Sequence, residues 1–122
     1  MIVGIGVDIV EVERIEKAAR RFGDRFLKRV FTDQEITYSM GKVRPYQKLA
    51  ARFAAKEAAF KALGTGMTSW KEAETTIEPS GKPNLVLSGR AADHASDLGA
   101  VRSFVSASDT TQYAAAVVVL EA

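Results

Sequence analysis

The segment IVGIGVDIV (2–10) restricts the fold more than any other part of the chain. Its β-branched residues and glycines suit a buried strand. With a two-residue period, Val3, Ile5, Val7 and Ile9 share one face, and Gly4, Gly6 and Asp8 share the other. That second face carries almost no side-chain volume before Asp8, so a ligand or another backbone is expected close against it. Asp8 is the anomaly, because an ionised carboxylate in an apolar strand is costly without a partner or a metal. An arginine partner, or capping of the following helix, would satisfy it equally well.

Downstream, Val12, Ile15, Ala18 and Ala19 recur at helical spacing, predicting a helix over 11–19. Gly23-Asp24 interrupts it, and Asp24 is expected to cap a short helix running to residue 29. Thr32 followed by Glu35 has the spacing of a capping box for a helix over 33–39. After a loop over 41–45, the longest helix is predicted over 46–63, with Gly64 as its C′ residue. The second half reads mainly as sheet: short strands over 73–79 and 84–88, then a hairpin of 101–108 and 112–120 around Asp109-Thr110-Thr111. Between them, Ser88 is placed to cap a helix over 89–98 that stops at Gly99. No repeat or linker divides the pattern, so residues 1–122 are expected to form a single α+β domain.

A chain of 122 residues builds only a modest core, so sites shared between identical subunits are a reasonable expectation. There is no cysteine, which excludes disulfides and thiolate metal sites and fits a cytoplasmic setting. The apolar start lacks a basic leader and carries Asp8, Glu11 and Glu13, so it does not read as a signal peptide; no membrane span is expected either. Charge is uneven. Residues 1–13 hold three acids and no base, residues 14–29 hold seven bases against two acids, and the rest holds ten of each. One basic block on a nearly neutral body points to an acidic partner.

On a wheel of the 46–63 helix, Tyr46, Leu49, Phe53 and Phe60 make an apolar stripe, with Glu57 on one rim and Lys56 and Arg52 on the other. Lys61, four residues after Glu57, is within ion-pair reach of it. A surface helix laced with salt bridges is the plain alternative. Taken with Asp8, however, Glu57 offers an oxygen-only donor set with no cysteine and a single distant histidine, His94. Such a set favours a hard ion such as Mg²⁺, and Arg52, Lys56 and Lys61 would supply cations for phosphate. That assembly suits phosphoryl-type transfer. Gly64-Thr65-Gly66 alone is no more than a helix end, Gly4-Ile5-Gly6 is not a dinucleotide fingerprint, and no GxxxxGK[ST] loop is present.

Two segments together narrow the reading. GIGVDIVEVERI (4–15) and RFAAKEAAFKALGTG (52–66) closely resemble the two signature motifs of bacterial holo-acyl-carrier-protein synthases, in the 4′-phosphopantetheinyl transferase superfamily. Gly81-Lys82-Pro83 and the ending YAAAVVVLE (113–121) extend the resemblance over nearly the whole chain. It implies a long central helix packed on a mainly antiparallel sheet. It also implies transfer of phosphopantetheine from coenzyme A to a serine of an apo-acyl carrier protein, releasing adenosine 3′,5′-bisphosphate. In matching positions, Asp8 and Glu57 would hold Mg²⁺, Lys61 would contact phosphate, and Arg52 and Lys56 would bind the nucleotide end. Gly64, Thr65, Gly66 and Pro83 would shape the coenzyme A groove. Glu57, or a water it orients, is the leading candidate base, with Glu35 a weaker one. The resemblance further implies a homotrimer with sites at subunit boundaries and a carrier docked on the early helices, where Arg14, Arg21, Arg25 and Lys28 are the leading contacts.

One departure stands out. Many members have Ser-x-Ser-His-Thr before the last strand, where this chain has Ser106-Ala107-Ser108-Asp109-Thr110. An aspartate repels phosphate, so Asp109 is expected to face away, to bind a cation, or to leave the contact to Ser108 and Thr110. A nucleic-acid-binding module using the basic block lacks the aromatic interleaving of single-strand platforms, so no nucleic-acid partner is expected. An inactive coenzyme A-binding scaffold is the other alternative.

Overall fold

The computed structural model describes residues 1–122. Strand β1 (Ile2–Glu11) leads into four successive helices, α1 (Val12–Phe22), α2 (Asp24–Val30), α3 (Asp33–Met40) and α4 (Pro45–Leu63). A 3-10 turn over Trp70–Glu72, absent from the sequence reading, precedes β2 (Ala73–Ile77) and β3 (Pro83–Leu87). The chain then forms α5 (Gly89–Asp97), β4 (Arg102–Asp109) and β5 (Tyr113–Glu121). One sheet has the order β1-β5-β4 and the other pairs β2 with β3, every pairing antiparallel. The α+β expectation, a long central helix on antiparallel sheet, is what the chain adopts.

The glycine face of β1 meets backbone. A Cβ built on Gly4 would overlap the carbonyl oxygen of Ala62, and one on Gly6 that of Ala58. Glycine is therefore required at both positions for β1 to lie directly on α4. Inward-facing Ala114, Ala116, Val118 and Leu120 of β5 complete the sheet surface beneath the helix.

Two expectations change here. The helix was read as having one apolar stripe, yet thirteen of the 19 residues of α4 are buried, many of them alanines. It is a central helix covered on several sides, with α1, α3 and β2 packed on it in addition to the larger sheet. Conversely, β1 is not buried on both faces. Ile5, Val7 and Ile9 remain 65%, 64% and 66% exposed, and Phe104 on β4 lies on the same outer face of the sheet.

The helix ends are partly as expected. Thr32 and Glu35 form the full capping box, with Thr32 N donating to Glu35 Oε1 at 2.9 Å and Glu35 N to Thr32 Oγ1 at 3.2 Å. Asp24 does not cap α2: Gly23 holds the N-cap position, at φ 56°, and Asp24 is the first helical residue. Ser88 stands at the N-cap of α5 without making the bond. Glu72 Oε1 takes the orphan donor instead, accepting from Ala91 N at 3.1 Å.

Candidate active site

Asp8 is the first inward side chain after the two glycines, so the contact of β1 with α4 delivers its carboxylate to the helix. There Lys61 Nζ donates to Asp8 Oδ1 at 3.2 Å and to the carbonyl of Val7 at 3.1 Å. The ion pair expected between Lys61 and Glu57 is thus made with Asp8 instead. The Asp8 side chain is only 16% exposed, whereas that of Lys61 is 55% exposed.

Glu57 stands in the same field. Burial pushes its carboxyl above the usual glutamate range, and the nearby Asp8 charge adds to that rise, while Lys61 and Arg14 oppose it. Two mutually repelling carboxylates, from a strand and a helix, form a centre that a divalent cation would relieve. No group of three or more potential metal-ligating side chains occurs anywhere in the chain. The two oxygen donors, Asp8 and Glu57, are of the kind that would hold a hard ion together with water and substrate oxygens.

Arg14, expected only as a docking contact, is exposed on α1 and also reaches the site. Its guanidinium lies over the Phe53 ring at 5.8 Å and contributes to the field at Glu57. Its position on α1 gave no sign of this, because the approach depends on how α1 crosses α4. The other docking candidates, Arg21, Arg25 and Lys28, are exposed on α1 and α2. None has a carboxylate within ion-pair distance, unlike Lys17 with Glu13 and Arg20 with Glu16. Phe22 and Phe26 line a surface groove with Arg25 and Arg29.

The two basic residues expected at the nucleotide end separate sharply. Lys56 is fully buried, and its ammonium meets Glu35 Oε1 at 2.7 Å and the carbonyls of Trp70 and Ala73 at 3.1 and 3.0 Å. All three of its donors are engaged, so Lys56 is corrected from a ligand contact to an internal one. Glu35 likewise ceases to be a candidate base: it is 1% exposed and also accepts from Thr32 N and Thr75 N. Arg52 differs. Its guanidinium lies over the Tyr38 ring at 5.3 Å, and its Nε and Nη1 are buried without a hydrogen-bond partner. Burial lowers its pKa, against the pull of Tyr38, Glu35 and Asp109.

Asp109 binds a cation, one of the three outcomes considered for it. Lys48 Nζ lies 3.2 Å from Asp109 Oδ2, and the Gln47 amide, with its nitrogen turned toward Asp109, can donate to Oδ1 at 3.0 Å. Thr110 is occupied by the hairpin turn, donating from Oγ1 to Tyr113 O at 3.2 Å and accepting from Tyr113 N at 3.1 Å. Ser108 is exposed on the sheet face opposite Asp8. Gly64, in the left-handed conformation at φ 71°, ends α4, with Thr65 and Gly66 following. Pro83 opens β3 opposite Ile77, on the smaller sheet. Within one chain, then, Asp8, Glu57, Lys61 and Arg14 converge, while Ser108 and Pro83 sit on other elements.

Residues 4–118 match the model of the 4′-phosphopantetheinyl transferase superfamily. A holo-[acyl-carrier-protein] synthase of Koribacter versatilis is 52% identical over 124 aligned positions, covering 99% of each chain. The crystal structure of a Neisseria meningitidis holo-[acyl-carrier-protein] synthase superposes with a TM-score of 0.89 at 35% identity, covering 100% of both chains. The Helicobacter pylori synthase, solved in complex with coenzyme A, gives 0.84 at 33% identity, covering 96% of this chain and 99% of that one.

Proposed function

This chain belongs to the 4′-phosphopantetheinyl transferase superfamily, as a holo-acyl-carrier-protein synthase, and from that premise we propose how its residues divide the work. The enzyme moves phosphopantetheine from coenzyme A to an acyl carrier protein. The serine oxygen of the carrier attacks the β-phosphorus, a new P–O bond forms, and the bridging P–O bond breaks. Its electrons leave on adenosine 3′,5′-bisphosphate, and the serine proton passes to Glu57 or to a water that Glu57 orients.

The observation that carries this reading is the meeting of Asp8, Glu57 and Lys61 at the contact of β1 with α4. Asp8 and Glu57 would hold Mg²⁺, which when bound neutralises the diphosphate and makes its phosphorus more electrophilic. Burial and the neighbouring Asp8 charge raise the proton affinity of Glu57 in the metal-free chain; with a cation bound, Glu57 would act on the serine proton most directly through a water it orients. Lys61 turns from Asp8 to the phosphate, and Arg52, whose buried Nε and Nη1 have no partner, would serve the nucleotide end on a small movement of its side chain. Gly64, Thr65, Gly66 and Pro83 would border the donor groove, and Ser108 and Thr110, which lie away from Asp8 within one chain, would reach a groove only in a neighbouring copy. The exposed Ile5, Val7, Ile9 and Phe104 face supports a homotrimer in which neighbouring copies close each site. Arg14, Arg21, Arg25 and Lys28 receive the acidic carrier, in a cytoplasmic enzyme that serves fatty acid synthesis.

The test is to mix the protein with Mg²⁺, coenzyme A and an apo-carrier and to weigh the carrier. A phosphopantetheine mass gain is expected, lost in Asp8→Ala and in Glu57→Ala with the circular dichroism of both unchanged. Near-normal turnover in either variant removes the metal assignment.

A further inference from the structure

Lys56 directly precedes the candidate base Glu57 yet touches none of the reacting groups. A buried ion pair is weak support for stability, since well-packed apolar residues commonly do as well. Its location is more informative. Lys56 gives one hydrogen bond to the carbonyl of Trp70 and one to that of Ala73, at either end of the 3-10 turn Trp70–Glu72. Glu35 accepts from Thr75 N at 3.0 Å. Ala73 O and Thr75 N point to the same open edge of β2, so the pair stands in for a missing neighbouring strand.

This edge terminates the segment 64–69. Its near end leaves α4 at Gly64, and its far end is fixed to the same helix by Lys56, about 12 Å further back along the axis for eight residues. Thr68 Oγ1 adds a tie to Glu72 Oε1 at 2.5 Å. Beyond the segment, Trp70 stacks on Phe53, with centroids 5.0 Å apart, and Arg14 lies on the same Phe53 ring. Contacts thus run from Lys56 through Trp70 and Phe53 to Arg14, beside Glu57.

We propose that the buried Lys56–Glu35 pair is a positioning device: it sets the span of loop 64–69 and the seat of Trp70, and through them the shape of the donor groove. This rests on the transferase reading, which places coenzyme A against that loop.

Trp70 is the only tryptophan, so its emission reports the seat directly and without substrate. In the full chain, Lys56→Met should keep the far-ultraviolet circular dichroism while shifting Trp70 emission to the red and opening it to acrylamide. KM for coenzyme A should rise about tenfold, with KM for the carrier within about twofold of wild type. Wild-type emission and wild-type coenzyme A KM in folded K56M would overturn the proposal. If K56M does not fold, Glu35→Gln decides by the same readouts, because its amide oxygen still serves one backbone donor while the charge is lost. Failure of both variants to fold would assign the pair to stability alone and also overturn it. Absence of transfer by the wild-type protein would instead remove the transferase reading, leaving Trp70 emission and coenzyme A binding by calorimetry to judge the loop.

Discussion

At the scale of single residues, the site depends on what surrounds each charge more than on its identity. Burial and Asp8 raise the Glu57 pKa in the folded chain, so the folded state keeps its proton to higher pH than the unfolded chain does. The contribution of this group to stability therefore falls as pH rises from the ordinary glutamate range through the raised folded value. With chelator present, Glu57→Gln should gain melting temperature over wild type as pH rises above the ordinary glutamate range. A pH-independent difference would contradict the assignment of Glu57 to this repulsive pair. Lys56 and Arg52 make the complementary point. Both are basic, lie one turn apart and fall on the same rim of a helical wheel, yet one has every donor used and the other has two donors unpartnered. Helical spacing assigns a side chain to a sector; it does not reveal that β2 will bring carbonyls to one of them.

At the scale of elements, the decisive contact is strand backbone on helix backbone. Gly6→Ala forces a methyl onto the Ala58 carbonyl and should cost about 1–3 kcal/mol, with transferase activity falling as Asp8 moves away. Chemical denaturation and the carrier mass assay measure the two effects, and an unchanged midpoint would refute the close packing. The need for something close to Gly4 and Gly6 was readable from the two-residue period, and so were the capping box and the αL glycine that closes α4. The 3-10 turn at Trp70–Glu72 was not, because its fixing bonds come from Lys56, fourteen residues before Trp70, and from α5. The helix-capping role of Glu72 escaped for the same reason: its recipient, Ala91 N, is distant in sequence. The outer face of β1 misled because an apolar strand face reads as buried in the sequence whether or not the rest of the chain covers it.

For the whole molecule, two surfaces carry the expectations about partners. If the proposed homotrimer forms through the outer sheet face, Val7→Asp should convert it into smaller species by light scattering and lower turnover with it. Arg21→Glu should raise the carrier KM about tenfold at low ionic strength, with a smaller difference as salt screens the docking field. An unchanged carrier KM would place the acidic partner elsewhere. The bare track formed by Gly4 and Gly6 has a wider consequence. Slipping β1 by one residue would turn Asp8 outward and press Ile5 or Val7 into the helix, and slipping by two would drive the carboxylate onto a helix carbonyl. The strand is keyed like a lock bit: the register that lets it seat on the helix is the one that installs the acid.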